Sequence, residues 1–241
     1  MTAKEAWSGY KAESYALLEL AEGDHVLDVG CGTGDDARAL ALRARGASVV
    51  GVDVSEAKIG EAQTLTLGLP WPVEFRVGDA HRLDFEAGAF DACRADKVFH
   101  HLEDPRKALD EMVRVARVGA RTVVSDVDYE TLVVDAPDST LTRRIVSHHA
   151  DRMPSGRIGR RLAALFHDAG LESVGVFPYT AIVTEYVEDV VRLRDKAERA
   201  REDGAASASE AEAWLASIEA AARAGRFFCA LTVFTVRGRK R

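Results

Sequence analysis

The chain has 241 residues, of which 47% are hydrophobic and 29% charged, with a formal net charge of −7. That length supports one domain with its own core, and the acidic balance gives no general attraction to nucleic acid or to an anionic membrane. Cys31, Cys93 and Cys229 are far apart and odd in number, which argues against a disulfide framework and for a reducing, cytoplasmic setting; no CxxC pair suggests a thiolate metal site, and no run approaches membrane-spanning length.

In chain order, an N-terminal helix carries Trp7, Tyr10 and Tyr15. A β-branched apolar run predicts a strand over 25–30. It ends at Asp28-Val29 and breaks into Gly30-Cys31-Gly32-Thr33-Gly34, with a glycine at every second position. Without Cβ atoms, backbone N–H groups there come within bonding reach of a ligand. A dinucleotide fingerprint would place its third glycine at position 35, where this chain has Asp35. A helix over Asp35–Arg45 follows and ends near Gly46, a suitable C′ residue. The next strand, 48–53, ends on Asp53, where a doubly wound fold puts the carboxylate that bonds a ribose hydroxyl. Ser55 caps the helix after it.

Further strands are predicted at 73–78, closing on Gly78-Asp79-Ala80, and at 90–95, leading to Phe99-His100-His101. Asp104 and Pro105 read as N-cap and N1 of a helix running to Ala116. A strand over 120–127 follows. By alternation, Asp126 and Asp128 at its end point the same way. An insert at 135–154 holds a helix starting near Ser139. A strand over 171–177 precedes a second insert, 186–226. That insert breaks near Gly204 into two helices, and two overlapping capping boxes, Ser207–Glu210 and Ser209–Glu212, predict a fresh helix over 209–224. A last strand runs over 227–236. The alternation of strands and helices in the first half predicts a parallel sheet covered on both faces.

Five segments in this order resemble the class I S-adenosylmethionine-dependent methyltransferases of small-molecule type. They are the glycine loop, Gly51-Val52-Asp53-Val54-Ser55, Gly78-Asp79-Ala80, Phe90-Asp91-Ala92-Cys93-Arg94-Ala95, and Phe99-His100-His101-Leu102-Glu103-Asp104-Pro105. The resemblance implies an α/β, doubly wound, Rossmann-like sheet of seven mostly parallel strands in the order 3-2-1-4-5-7-6. It implies a single domain with helical lid elements at about 1–20, 135–154 and 186–226. It names S-adenosyl-L-methionine as cofactor and carries over a set of contacts. Gly30 and Gly32 N–H groups face the methionine carboxylate, which the Tyr10 hydroxyl also bonds, and Asp28 lies near the amino group. Asp53 accepts from the ribose, Val54 packs on adenine, Asp79 accepts from the adenine amino group, and the Ala80 N–H bonds a ring nitrogen. Arg94 and Ala95 line the methionine portion, and Phe99 touches cofactor or substrate.

A sulfonium methyl is already activated, so the protein mainly has to align the reactants; a base is required only if the acceptor must lose a proton. His100, Asp126 and His148 are taken for that role from a set that also holds His101, Asp128 and His149, with His101 read as packing beside the helix start. Arg143, Arg144 and Arg152 belong to the lid, and Tyr179 is a further candidate for the acceptor pocket. Two carboxylates with nearby histidines could also hold a metal, but no metal site is assigned. The expected acceptor is an oxygen or carbon of a small, aromatic or polyketide-like metabolite of specialised metabolism. The Asn/Asp-Pro-Pro-Tyr motif of many amino-directed family members is absent, its slot reading Arg94-Ala95-Asp96-Lys97. Alternatives are a cofactor-binding module without transfer and a small-amine N-methyltransferase; a nicotinamide oxidoreductase conflicts with Asp35. A small-molecule substrate and a second copy in a homodimer are the expected partners.

Overall fold

The computed structural model describes residues 3–43, 48–68 and 73–241. Strands β1 (His25–Val29), β2 (Ser48–Asp53), β3 (Val73–Val77), β4 (Phe90–Asp96) and β5 (Ala116–Val127) pair in parallel in the order β3-β2-β1-β4-β5. A two-residue strand β6 (Val133–Val134) was not anticipated. Strands β7 (Glu172–Val183) and β8 (Cys229–Arg239) complete the sheet. β8 pairs antiparallel with β5 and with β7. β6 continues along the β5 side of β8, with Val133 opposite Ala230. Setting β6 aside, the order is the 3-2-1-4-5-7-6 implied by the resemblance.

Three strand boundaries differ from the hydropathy pattern, and partner strands explain them. β5 begins at Ala116, which pairs with Phe90 across an irregularity in register. β7 extends to Val183, opposite Cys229. β8 runs through Arg237 and Arg239, whose guanidinium groups pair with Glu19 at 2.9 and 3.1 Å. A ladder partner and an ion pair hold charged residues in a strand that polarity alone would exclude.

Helices α1 (Ala3–Ser8) and α2 (Lys11–Ala16) precede the sheet; α3 (Asp35–Arg43), α4 (Glu56–Thr66) and α5 (Pro105–Val115) alternate with its strands. The expected stop of α3 at Gly46 lies outside the described residues. Strand alternation sends neighbours to opposite faces: Val26, Ala92 and Val123 pack under α3 and α4, whereas Leu27, Cys93 and Val124 pack under α5. α5 forms as its sequence dictates. The Asp104 side chain accepts from Lys107 N at 3.0 Å, Pro105 occupies the first turn, and Leu109, Met112 and Val115 are fully buried. Each such side chain contributes about 1.5–3 kcal/mol.

The rest of the chain adds α6 (Ser139–Arg152), α7 (Leu162–Asp168), α8 (Glu188–Val191), α9 (Leu193–Glu202) and α10 (Ala208–Arg223). Of the two capping boxes, Ser207–Glu210 forms. α6, α9 and α10 enclose a third apolar cluster with Trp214 near its middle; its indole N–H donates to Thr142 Oγ1 at 2.9 Å. Arg144–Glu210 (2.6 Å) and Arg152–Asp203 pairs bind the rim. Among the described residues, no helix is long and apolar enough to cross a membrane.

Candidate functional site

A cavity of 500 Å³ opens at the carboxyl ends of β1, β2, β3 and β4, where open α/β sheets bind ligands. The glycine loop forms one wall. Gly30 has φ +71°, and a Cβ there would run into the Val98 methyl groups. The loop thus needs glycine both for its backbone conformation and for its close approach to the residue after β4. Its hydrogen bonding corrects one expectation. Gly30 N donates to Val52 O at 2.6 Å, and Gly32 N donates to Asp53 Oδ2 at 2.9 Å. Both donors are engaged within the protein, so neither faces a ligand carboxylate as expected. Gly30 still lines the cavity.

Asp53, Val54, Asp79 and Ala80 also line it. Asp53 is fixed from two sides, by Gly32 N and by Ser55 N (2.9 Å to Oδ1), and each oxygen keeps a lone pair for another donor. Val54 is 76% exposed, an apolar patch open to a flat ring. Asp79 Oδ1 accepts from His81 N (2.9 Å) and pairs with His81 Nδ1 (2.7 Å). The backbone bond, then the imidazole, holds this carboxyl below the usual range, which leaves an ionised acceptor at neutral pH.

Beneath the cavity lies a buried ionic cluster that the sequence reading did not assemble. Arg94 is fully buried, with Asp28, Asp36 and Asp96 at 3.1, 3.1 and 3.3 Å. The N-terminal helices fasten onto the same carboxylates. Lys11 reaches Asp36 at 2.7 Å, the Tyr15 hydroxyl donates to Asp36 at 2.6 Å, and the Tyr10 hydroxyl donates to Asp96 at 2.7 Å. Burial would raise Asp36, but Arg94 and Lys11 outweigh it and hold that carboxyl low. Burial wins at Asp28 and pushes its carboxyl up against the pull of Arg94. Asp28 Oδ2 is buried and has no hydrogen-bond partner, and an orphaned buried oxygen of this kind is costly until a donor meets it.

Several expectations change here. The Tyr10 hydroxyl is committed to Asp96 rather than to a ligand. Arg94, Ala95 and Phe99 have no exposed surface and do not line the cavity: Arg94 is drawn down by three carboxylates, while Ala95 and Phe99 pack in the core with Leu109. Lys97, Val98 and His101 take their place on the wall. His101 was expected to pack structurally but faces the cavity, and His100 is the buried member, 4% exposed.

His100 and Asp126 do come together. His100 Nδ1 lies 2.7 Å from Asp126 Oδ1, and His100 N donates to Asp126 Oδ2 at 3.1 Å. Asp128 diverges from Asp126 despite the alternation argument, because the strand ends at Val127 and the chain turns; its carboxylate pairs with Arg160. His148 points away from this pair, its Nε2 2.9 Å from Asp203. The next residue, His149, is turned inward. Its ring meets Tyr129 edge-on at 4.6 Å, and Tyr129 meets His100 edge-on at 5.5 Å. One position along a helix rotates a side chain by about 100°, so adjacent histidines could not both face the site. Burial, then nearby Lys196, pushes the His149 imidazole down to about 3. Arg143 reaches Thr140 on its own helix, whereas Arg144 and Arg152 serve the lid rim. Tyr179 packs 6.0 Å from the Tyr10 ring. Among the described residues, no group of three or more His, Cys, Asp or Glu could hold a metal ion.

Residues 27–124 match the family described as methyltransferase domain. The chain is 35% identical over 236 residues to an uncharacterized 37.1 kDa protein in transposon Tn4556 of Streptomyces fradiae, covering 96% of this chain and 67% of that protein. It is 33% identical over 159 residues to O-methyltransferase resE of Aspergillus sclerotiorum, covering 64% of this chain and 57% of that enzyme. The chain therefore spans from a little over half to two thirds of the length of these relatives. The crystal structure of YcgJ from Bacillus subtilis has the same fold, with a TM-score of 0.66 at 20% identity, covering 95% of this chain and 99% of that one.

Proposed function

We propose, from the premise that this chain belongs to the S-adenosylmethionine-dependent methyltransferases and uses that cofactor, that it methylates an oxygen or carbon of a small, aromatic or polyketide-like metabolite. The Asp126–His100 pair, buried behind the cavity-lining His101 with the two imidazole rings 3.8 Å apart, carries this reading. The similarity to resE, an O-methyltransferase, supports an oxygen acceptor.

The residues present fit the cofactor. Asp53 would hold the ribose, Asp79 and the Ala80 N–H would read the adenine, and Val54 would cover its face. Asp28 Oδ2, buried beneath the cavity with no hydrogen-bond partner, would be the acceptor for the cofactor's ammonium group. Bound there, S-adenosylmethionine supplies a methyl group already activated on sulfur. The chain then positions the acceptor, and well-oriented reactants gain about 7–11 kcal/mol.

His100 is the proton acceptor. Asp126 accepts a hydrogen bond from its Nδ1–H, which fixes the tautomer and leaves Nε2 to receive a proton from an acceptor hydroxyl. Asp126 also accepts from the His100 backbone, so the ring and its main chain are held by one carboxylate. The edge of Tyr129 sets the ring plane from the other side. The three lid elements, 1–20, 135–154 and 186–226, form with the sheet a single domain and keep water from the acceptor. The α6–α10 contact through Trp214 and Thr142 supports this closure.

Transfer of a labelled methyl group to a small-metabolite extract tests the assignment. Product is expected with the wild-type protein. His100→Gln and Asp126→Asn should each lower turnover by about 10²–10⁴-fold while S-adenosylhomocysteine still binds. Binding without transfer in the wild type would instead favour a module that has lost catalysis.

A further inference from the structure

β4 ends at Asp96, and the next residue turns sharply. Lys97 has φ +56°, in the left-handed region that non-glycine residues seldom enter. Its N–H donates to Ser125 O at the end of β5 at 2.8 Å, so the neighbouring strand fixes the turn. Strained backbone of this kind persists where the surroundings over-determine it, and it clusters at ligand sites. Four described non-glycine residues have positive φ, and of these Lys97 lines the cavity.

The turn places the Lys97 amine at a junction. Its Nζ lies 5.5 Å from the centroid of the Tyr10 ring, an aromatic face that favours a cation. Gly30, Val98 and His101 line the same cavity as Lys97. Lys97 thus shares the cavity with the glycine loop and lies three residues before His100. Burial lowers its pKa, the largest influence on it, against the pull of Asp96. A partly desolvated ammonium group interacts with an anion far more strongly than one in water does.

We propose that Lys97 is the acceptor-recognition cation, and that the acceptor is an acidic oxygen compound, a phenol or enol bound in its ionised form. This deepens the methyltransferase reading and rests on it. A cation at this junction favours an oxyanion beside the methyl donor and repels a protonated amine, which decides between oxygen and amine acceptors. The side chain serves specificity; the proton itself goes to His100.

The test uses full-length protein saturated with S-adenosylhomocysteine and titrated with 4-nitrophenol at about pH 6, where the free probe is mostly protonated and a bound phenolate shows by its yellow absorbance. Wild type is expected to bind the probe as phenolate. Lys97→Arg should retain this signal, whereas Lys97→Met should lose it, with affinity at least about tenfold weaker. Binding of S-adenosylhomocysteine is measured first in all three proteins, and the probe is titrated at saturation in each. An equal phenolate signal in Lys97→Met overturns the proposal, as does a probe that binds wild type protonated or not at all. Loss of S-adenosylhomocysteine binding in Lys97→Met alone would place the lysine on the cofactor and also overturn it. Failure of wild type to bind S-adenosylhomocysteine would instead defeat the underlying methyltransferase reading.

Discussion

Replacing Gly30 by alanine tests the loop geometry on which the cavity depends. Two costs follow from the structure. The first is the backbone: at φ +71° an L-residue loses about 1–2 kcal/mol relative to glycine. The second is space: the new methyl group meets both Val98 methyls, and forcing extra volume into packed surroundings costs about 1–3 kcal/mol. Together, Gly30→Ala should destabilise by about 2–5 kcal/mol. The two parts separate in a double-mutant cycle. Val98→Ala removes the two methyl collisions, leaving its Cβ at 3.1 Å, but not the backbone cost, so Gly30→Ala in that background should cost only about 1–2 kcal/mol. Urea denaturation gives the four stabilities, provided the m-values agree. A Gly30→Ala penalty below about 1 kcal/mol, or the same penalty in both backgrounds, would refute the claimed approach of the loop to Val98.

Two further outcomes follow. His149 has a folded-state pKa pushed down to about 3, so the unfolded chain, titrating near ~6.5, takes up the proton first as pH falls. Its contribution is present at neutral pH and is lost below about pH 6.5; between about pH 7 and pH 5 it should amount to roughly 2 kcal/mol. The unfolding free energy of His149→Phe should fall less over that interval by this amount, and an identical fall in both proteins would show that His149 is not buried as described. His148→Ala should leave methyl transfer within about twofold of wild type, because its Nε2 is turned to Asp203; a loss comparable to that of His100→Gln would return His148 to the acceptor site.

Fold and cofactor cavity were largely legible in the sequence, and the acceptor side was not. The glycine run, Asp53 and Asp79 could be read because backbone geometry and strand ends determine them locally. Strand order followed from the resemblance, and only the short β6 escaped, since two residues carry no periodicity. Arg94 was misplaced because its position depends on Asp28, Asp36 and Asp96, which converge only once β1, α3 and β4 are assembled. The adjacent pairs His100-His101 and His148-His149 were hard for a different reason. Neighbouring side chains point in different directions, and sequence alone does not fix the phase of a short turn or of an inserted helix. In both pairs the structure reversed the choice of the member facing the cavity or the His100–Asp126 pair. The left-handed turn at Lys97 also had no local signal, because lysine is not a residue that marks such turns.

The central claim is that the cavity at the strand ends holds an adenosyl sulfonium cofactor through Asp53. Isothermal titration with S-adenosylhomocysteine, in wild type and in Asp53→Ala with its fold checked by urea denaturation, tests this most directly. The account predicts one saturable site whose affinity falls roughly 10- to 100-fold in the variant, the worth of a lost charge-assisted hydrogen bond. Equal affinity in the two proteins, or no binding in wild type, would contradict it.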